Sequence, residues 1–349
     1  MNCFGRYFRV SLFGESHGPA VGAVLDGVPA GIPLSENDFS EDIGRRKSGP
    51  AGTTPRTEAD MPEILSGVYG GHTTGAPLAV IFRNENTRPG DYDRFLDVPR
   101  PGHADRSAGI KWQGFNDPRG GGHLSGRLTL PLVAAGVVAK KLLCRAAESL
   151  SGKPSVSFDA VLTEIGGIPC TYDPATGLSG QAAAALEAAI KDGDSLGGIV
   201  ECRIGGVPAG LGEPFFDSVE SLVSHIMFAI PGVRGVEFGD GFAAAAMRGS
   251  QHNDPFSSDG TLLKNGAGGV NGGISNGAPI VFRVAFKPSS SIRKTQITAD
   301  FSSGEMAELS VTGRHDACFA IRVPVIVEAA AAIVLADLVA AGACSTAEK

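Results

Sequence analysis

No C-x-x-C pair occurs in this chain of 349 residues, and its six cysteines, Cys3, Cys144, Cys170, Cys202, Cys318 and Cys344, are widely scattered. Such spacing offers no zinc ribbon or compact disulfide framework, and reduced thiols in a cytoplasm are the simpler reading. A nucleotide-binding G-x-x-x-x-G-K-[ST] loop is also missing, because Gly152-Lys153 is followed by Pro154. That absence weighs against a phosphotransferase, a reading otherwise invited by the glycine-rich Arg119-Gly120-Gly121-Gly122-His123 ahead of a helix. There is no excess of basic residues: 30 Lys and Arg against 37 Asp and Glu leave a net charge of −7, unsuited to nonspecific binding of nucleic acid.

No Pro- or Ser-rich linker divides the chain, and its 49 glycines are spread throughout, so residues 1–349 read as a single domain with many short connections. The opening Met1-Asn2-Cys3-Phe4-Gly5-Arg6 carries no apolar run long enough for secretion, which predicts a cytoplasmic protein. Pro324–Gly342 approaches the length of a membrane span. Glu328 and Asp337 lie inside it, however, and Pro324 and Gly342 stand where a helix starts and stops, so a buried helix and no membrane partner are expected.

Helices are predicted from Ser35, with Asp38 completing a capping box, toward Arg46, and over residues 132–150, 179–192 and 217–230. Strands are predicted over residues 8–13, 21–25, 78–82, 156–165, 199–204, 280–286 and 319–323. The irregular alternation implies a mixed α and β fold rather than a repeating strand-helix-strand unit. Arg45, Arg46, Lys47, Arg88, Arg94, Arg100, Arg106, Arg119 and Arg127 make the first third locally basic, suitable for a small anion if they converge.

The informative loops are three. Gly14-Glu15-Ser16-His17-Gly18 holds a hydroxyl and an imidazole between glycines, after a strand-like run. His103 lies in Arg100-Pro101-Gly102-His103-Ala104-Asp105, and His315 in Gly313-Arg314-His315-Asp316-Ala317-Cys318. In the latter two an arginine and a carboxylate flank the histidine, the partners that orient an imidazole or bind an anion beside it. Loops of this kind, far apart in sequence, point to one assembled site. A metal in it is not expected, because adjacent residues such as His315 and Asp316 point oppositely along a strand.

Together with Ala23–Gly31 and with Gly210-Leu211-Gly212-Glu213-Pro214, Gly235 to Phe242, Gly272-Gly273-Ile274-Ser275 and Lys287-Pro288-Ser289-Ser290-Ser291, these loops resemble, in order, the signature segments of chorismate synthase. The resemblance covers nearly the whole chain. It implies an α+β fold, a β-α-β sandwich with helices packed between antiparallel sheets, assembled as a homotetramer. The implied reaction is a 1,4-anti elimination of phosphate from 5-enolpyruvylshikimate 3-phosphate to give chorismate, the last common step of the shikimate pathway. It is redox-neutral yet requires reduced FMN, with NADPH as an indirect source of reducing equivalents. A relative that binds flavin or an anion without catalysis is the alternative.

The resemblance also implies roles. His17 matches the histidine that protonates the departing phosphate, His103 the one that protonates reduced flavin, and Asp316 the carboxylate that takes a proton from flavin N5; Ser16 and Ser125 support this traffic. Arg46, Arg100 and Arg127 match substrate contacts. Flavin contacts fall on His123, Leu124, Ser125, Pro231, Gly232, Gly272, Lys287, Pro288, Ser289, Ser290, Ser291 and Arg314. The chain departs from the family at His123 and Leu124, where relatives carry an arginine and a serine, and at Gly52, near which they carry another anion-binding arginine.

Overall fold

A computed structural model describes residues 2–54, 58–85, 92–151, 156–313 and 315–347. Ten strands form two five-stranded antiparallel sheets. The first contains β1 (Cys3–Phe4), β2 (Arg9–Gly14), β3 (Ala20–Asp26), β4 (Pro62–Ser66) and β5 (Leu78–Arg83), in the order β1-β2-β3-β5-β4. The second contains β6 (Ser157–Ile165), β7 (Ile168–Pro169), β8 (Gly198–Gly205), β9 (Val233–Phe238) and β10 (Ile280–Phe286), in the order β9-β10-β8-β6-β7. Alternation sets the register: Val200, Cys202 and Ile204 of β8 oppose Val284, Phe282 and Ile280 of β10, all buried on one face.

The α-helices of seven residues or more among the described residues are α1 (Ser40–Arg46), α2 (Asp105–Lys111), α3 (Thr129–Ser151), α4 (Gly180–Asp192), α5 (Val219–Met227) and α6 (Pro324–Ala347). Helix α3 lies on the first sheet and α6 on the second, and the two helices pack on each other. The result is the expected sandwich. Helix α6 carries apolar side chains on every face, and each residue from Val325 to Ala336 is buried, as a helix between two layers must be. It is long and apolar enough to cross a membrane, but its apolar window is 72% buried within the fold.

The two carboxylates of α6 are both satisfied. Glu328, 1% exposed, accepts from both Arg45 terminal nitrogens at 2.7 and 2.6 Å, from Lys140 at 3.1 Å and from the Ala160 N–H at 3.2 Å. Asp337 accepts from the backbone N–H groups of Arg6, Tyr7 and Phe8 at 2.9, 2.6 and 2.8 Å, anchoring the segment that leads into β2.

Residues 319–323 are not a strand. They form a 3₁₀ turn, Phe319–Arg322, that delivers the chain to Pro324 at the head of α6. A five-residue apolar run is ambiguous between strand and helix, and here winding buries Ala320 and Ile321 while turning Arg322 to a cavity. Gly52 is corrected as well. Its φ is +85° and a Cβ there would lie 2.8 Å from Leu186 and 3.3 Å from Ile321, so the position faces apolar packing and has no room for an anion-binding arginine.

The α3–α6 crossing depends on Gly136, where a Cβ would lie 2.3 Å from the Ala329 Cβ. Gly136→Ala is expected to lower unfolding stability by about 1–3 kcal/mol through overpacking, despite alanine's better helix propensity. Urea unfolding measures this, and an unchanged or raised midpoint would mean that the helices separate freely at this point.

Candidate active site

Three loops and one glycine turn converge on a cavity of about 760 Å³, within the ~300–1,000 Å³ of small-molecule sites. Strand β2 ends in the Glu15-to-Gly18 turn, closed by the Gly18 N–H to the Glu15 carbonyl at 3.1 Å. Asn84 donates to the Glu15 and Gly18 carbonyls at 3.0 and 2.8 Å. Ser16 and His17 are thereby held buried at the cavity wall.

The turn at residues 120–122 joins the histidines. Gly120, Gly121 and Gly122 all have positive φ, which only glycine adopts freely in succession. A Cβ on Gly120 would lie 2.4 Å from Cε1 and 2.5 Å from Nδ1 of His17. One on Gly121 would lie 3.5 Å from Cε1 and Nε2 of His103. The Gly122 carbonyl accepts from the Ser16 N–H at 3.1 Å, so the two loops are also tied through their backbones.

A buried guanidinium cluster makes the adjoining wall. Arg46 donates to Thr129 at 3.0 Å and to the Gly126 carbonyl at 3.3 Å, and lies 3.6 Å from Asp60. Arg127 pairs with Asp60 and donates to Asn84 at 3.0 Å. Arg322 donates to Asp316 at 2.9 Å, and the Thr54 N–H donates to the other Asp316 oxygen at 2.8 Å. Three guanidiniums therefore face two carboxylates. Burial, with Arg322 and Arg127 nearby, pulls the Arg46 guanidinium down to about 9 despite the attraction of Asp60. A bound anion would relieve that repulsion.

At the far wall Lys287 donates to the Gly102 carbonyl at 2.6 Å and to Ser290, and Ser290 donates to the same carbonyl at 2.8 Å. Burial and the neighbouring Arg234 lower the Lys287 ammonium, and neither cation is in an ion pair among the described residues. Arg100 binds Asp105 through Nε and Nη2 at 2.8 Å each and Ser291 at 2.9 Å, and Asp105 lies 2.6 Å from His103 Nδ1. The walls thus present cations and imidazoles to one cavity, in a chain of net negative charge.

A family model described as chorismate synthase matches residues 8–340. The chain belongs to the chorismate synthase family. A chorismate synthase of Chitinophaga pinensis is 56% identical over 338 residues, covering 97% of this chain and 96% of that protein. That of Korarchaeum cryptofilum is 47% identical, with 96% of each chain covered. A crystal structure of chorismate synthase superposes with a TM-score of 0.69 at 29% identity, over 96% of this chain and 92% of that one. Members of the chorismate synthase family are enzymes, lyases, and so is this one.

Of the residues marked in the sequence, His17, His103, Asp316, Ser16, Ser125, Arg46, Arg100, Arg127, His123, Leu124, Pro231, Gly232 and Lys287 to Ser291 all line the cavity. Gly272 does not: it sits in a separate two-stranded hairpin whose Gly273 carbonyl caps α5 at the Val219 N–H. Arg314 and Arg88 lie outside the described residues. His123 commits Nδ1 to the Gly14 carbonyl at 2.8 Å. The sequence reading did not mark Asp60, Arg234 or Arg322, which also line the cavity, as does His315, singled out by its loop. Arg322 carried a usable signal, a lone charge in an apolar run. Asp60 carried none, since only the folded chain shows its φ of +51° between two guanidiniums.

Burial lowers the His315 imidazole to about 4, with Arg100 and His103 adding to the effect and Asp316 opposing it. Its folded value lies below the ~6.5 of a free histidine, so the unfolded chain binds the proton first as pH falls. This contribution to stability is complete above about pH 6.5, is lost as pH falls toward 4, and changes no further below. His315→Asn is expected to remove it, reducing the pH dependence of stability across that window by up to about 3 kcal/mol. Parallel stability curves for both proteins, measured by denaturant unfolding from pH 7 to 4, would show that His315 titrates as a solvated side chain.

Proposed function

We propose that this cavity carries out the chorismate synthase reaction, the 1,4-anti elimination of phosphate from 5-enolpyruvylshikimate 3-phosphate, a carbon–oxygen lyase acting on phosphate. The observation that supports this most is the meeting of His17 and His103, 86 residues apart in sequence, on one side-chain-free turn beside a surplus of guanidinium charge. Arg46, Arg127 and Arg322 would hold the anionic groups of the substrate through planar guanidinium forks. Burial of His17 beside Gly120 excludes water from the leaving phosphate, to which its imidazole would give a proton. Ser16 and Ser125 would bridge that traffic by hydrogen bonds. His103 would carry its proton at Nε2, facing Gly121, and Asp316, held by Arg322 and Thr54, would accept one at a carboxylate oxygen.

The residues also fit FMN. The cations Lys287 and Arg234, in no ion pair among the described residues, would form with the Ser289, Ser290 and Ser291 hydroxyls a donor set suited to its phosphate, and Pro231, Gly232, His123 and Leu124 supply further wall. Reduced FMN, when bound, supplies an electron transiently to assist loss of phosphate and recovers it, which is why a redox-neutral elimination needs it. NADPH would act only as the indirect source of that reduction. The chain would work as a single unit in the cytoplasm. Exposed Tyr69, Phe215, Phe216, Phe242, Phe256 and Leu263 support assembly, for which the family implies a homotetramer.

Phosphate release from 5-enolpyruvylshikimate 3-phosphate under anaerobic reduced FMN tests the proposal. His17→Ala and His103→Ala are each expected to lower turnover about 10- to 1,000-fold in proteins that keep their circular dichroism. Wild-type chain that binds flavin yet releases no phosphate would establish the noncatalytic alternative, and unchanged turnover in either variant would remove that histidine from the reaction.

A further inference from the structure

We propose that Asn84 is a positioning residue that couples the anion-holding Arg127 to the turn carrying Ser16 and His17, one side-chain amide setting the place of both. The proposal rests on the reading of His17 as proton donor and Arg127 as substrate contact, and concerns what holds the two in register.

The sheet brings Asn84 to the turn. Strands β2 and β3 form a hairpin that closes with Gly14 opposite Val21, and β5 runs antiparallel to β3 with Arg83 opposite Ala20. Asn84, the next residue, continues that ladder by donating its N–H to the Pro19 carbonyl at 3.1 Å. Its side chain then reaches the hairpin turn, where Nδ2 donates to the Glu15 carbonyl at 3.0 Å and to the Gly18 carbonyl at 2.8 Å. Those carbonyls stand on either side of Ser16 and His17 in the chain, so the turn is gripped at both ends. Both amide hydrogens are thereby committed.

The other end of the same amide holds the guanidinium: Asn84 Oδ1 accepts from Arg127 Nε at 3.0 Å. The partners fix which end is which. Carbonyl oxygens only accept and a guanidinium N–H only donates, so exchanging the amide oxygen and nitrogen would set like against like at all three contacts. Arg127 is further held by Asp60 at Nη1 and by the Arg83 carbonyl, 3.4 Å from Nη2. Asp60 already offsets part of its charge, whereas the neutral amide fixes the fork and leaves the rest of that charge for a ligand. A turn needs no arginine to be braced, and an arginine needs no turn to be fixed; one amide serving both is what points to coupling. His17 and Arg127 are both buried at the wall of the same cavity. An anion drawn onto Arg127 therefore meets His17 at a separation set through a side chain with only two torsions, and small errors in such a separation are costly to a proton transfer.

The test is a pair of double-mutant cycles on the full-length protein, with reduced FMN and 5-enolpyruvylshikimate 3-phosphate, together with hydrogen exchange of the ligand-free protein. Asn84→Ala is expected to lower kcat about 10- to 100-fold by loosening the His17 turn, and to raise KM about 3- to 10-fold by loosening Arg127. In a His17→Ala background the same substitution is expected to lower kcat less than about 2-fold while KM still rises. In an Arg127→Lys background the loss of kcat is expected to remain and the rise in KM to shrink below about 2-fold. Effects that simply multiply in both cycles, as a merely structural residue would give, overturn the proposal. Asn84→Asp keeps the size and an acceptor for Arg127 but sets a charged oxygen against two carbonyls, so it is expected to lose at least as much kcat as Asn84→Ala; turnover near wild type overturns the proposal. Without ligands, a peptide covering residues 14–19 is expected to exchange at least about 5-fold faster in both variants, with β8 and β10 as in wild type. Unchanged exchange in that peptide also overturns the proposal. Wild type that releases no phosphate, or His17→Ala with full turnover, would instead remove the elimination reading, and the exchange result would still decide whether the amide holds the turn.

Discussion

Burial of α6 between the sheets is the constraint from which the rest of the architecture follows. A 24-residue helix with apolar side chains on every face has no side to show to water, so it must be covered by β6 and β8 on one flank and by α3 on the other. Covering it needs close approach, and the missing side chain of Gly136 against Ala329 supplies the space. Two carboxylates then cross-tie the layers. Glu328 draws in Arg45 of α1, Lys140 of α3 and the backbone of β6, while Asp337 fixes the backbone leading into β2. A buried ion pair is weak evidence of stability, but a carboxylate with four donors from three elements can be satisfied in only one arrangement of them. The loops lining the cavity inherit that arrangement, since β2 ends at the His17 turn, α3 starts just after Ser125 and α6 starts just after Arg322.

The site sits at the start of both central helices, and its electrostatics work against the fold. Arg46, Arg127 and Arg322 are crowded beside Asp60 and Asp316, and Lys287 and Arg234, in no ion pair among the described residues, line the same cavity. Such charges are costly to bury, and the lowered Arg46 guanidinium records the cost. A chain selected only for stability would place aliphatic side chains there. Retaining the surplus makes sense if doubly charged ligands complete the charge balance, so the empty protein holds in strain what the loaded one recovers in binding.

Much of this was legible in the sequence because several motifs carry their geometry locally. Glycines flanking Ser16-His17 foretold a turn that presents side chains, and the alternation in residues 280–286 gave β10 its buried face. The long helices were legible from their period, as with residues 132–150 for α3 and 179–192 for α4. Legibility failed where long-range contact decides the outcome. Residues 319–323 have a strand's composition but are wound by the proline-headed helix that follows. Gly52 reads as a lost arginine in the order of motifs, yet it packs on Leu186, which is 134 residues away. Gly272 matches a cofactor segment in order but sits on a hairpin that caps α5. Short β4 and β9 have little periodicity of their own and exist because β5 and β10 offer them an edge.

Two histidines placed on one turn need different surroundings if they are to move different protons, and the structure gives them that. His17 is buried, set edge-on to Tyr92 at 5.0 Å between ring centroids, with the Gly120 backbone pressed against its other edge. His103 is more open and rests on a carboxylate held by an arginine. An aromatic ring and the glycine turn surround one imidazole, whereas a carboxylate fixed by Arg100 stands beside the other. The turn at residues 120–122 is what allows both on a single cavity: any side chain at Gly120 would occupy the volume of the His17 ring, and a conventional turn would swing Gly121 away from His103. Three left-handed residues in succession are poor local structure, so their presence is explained by what they bring together rather than by the turn they make.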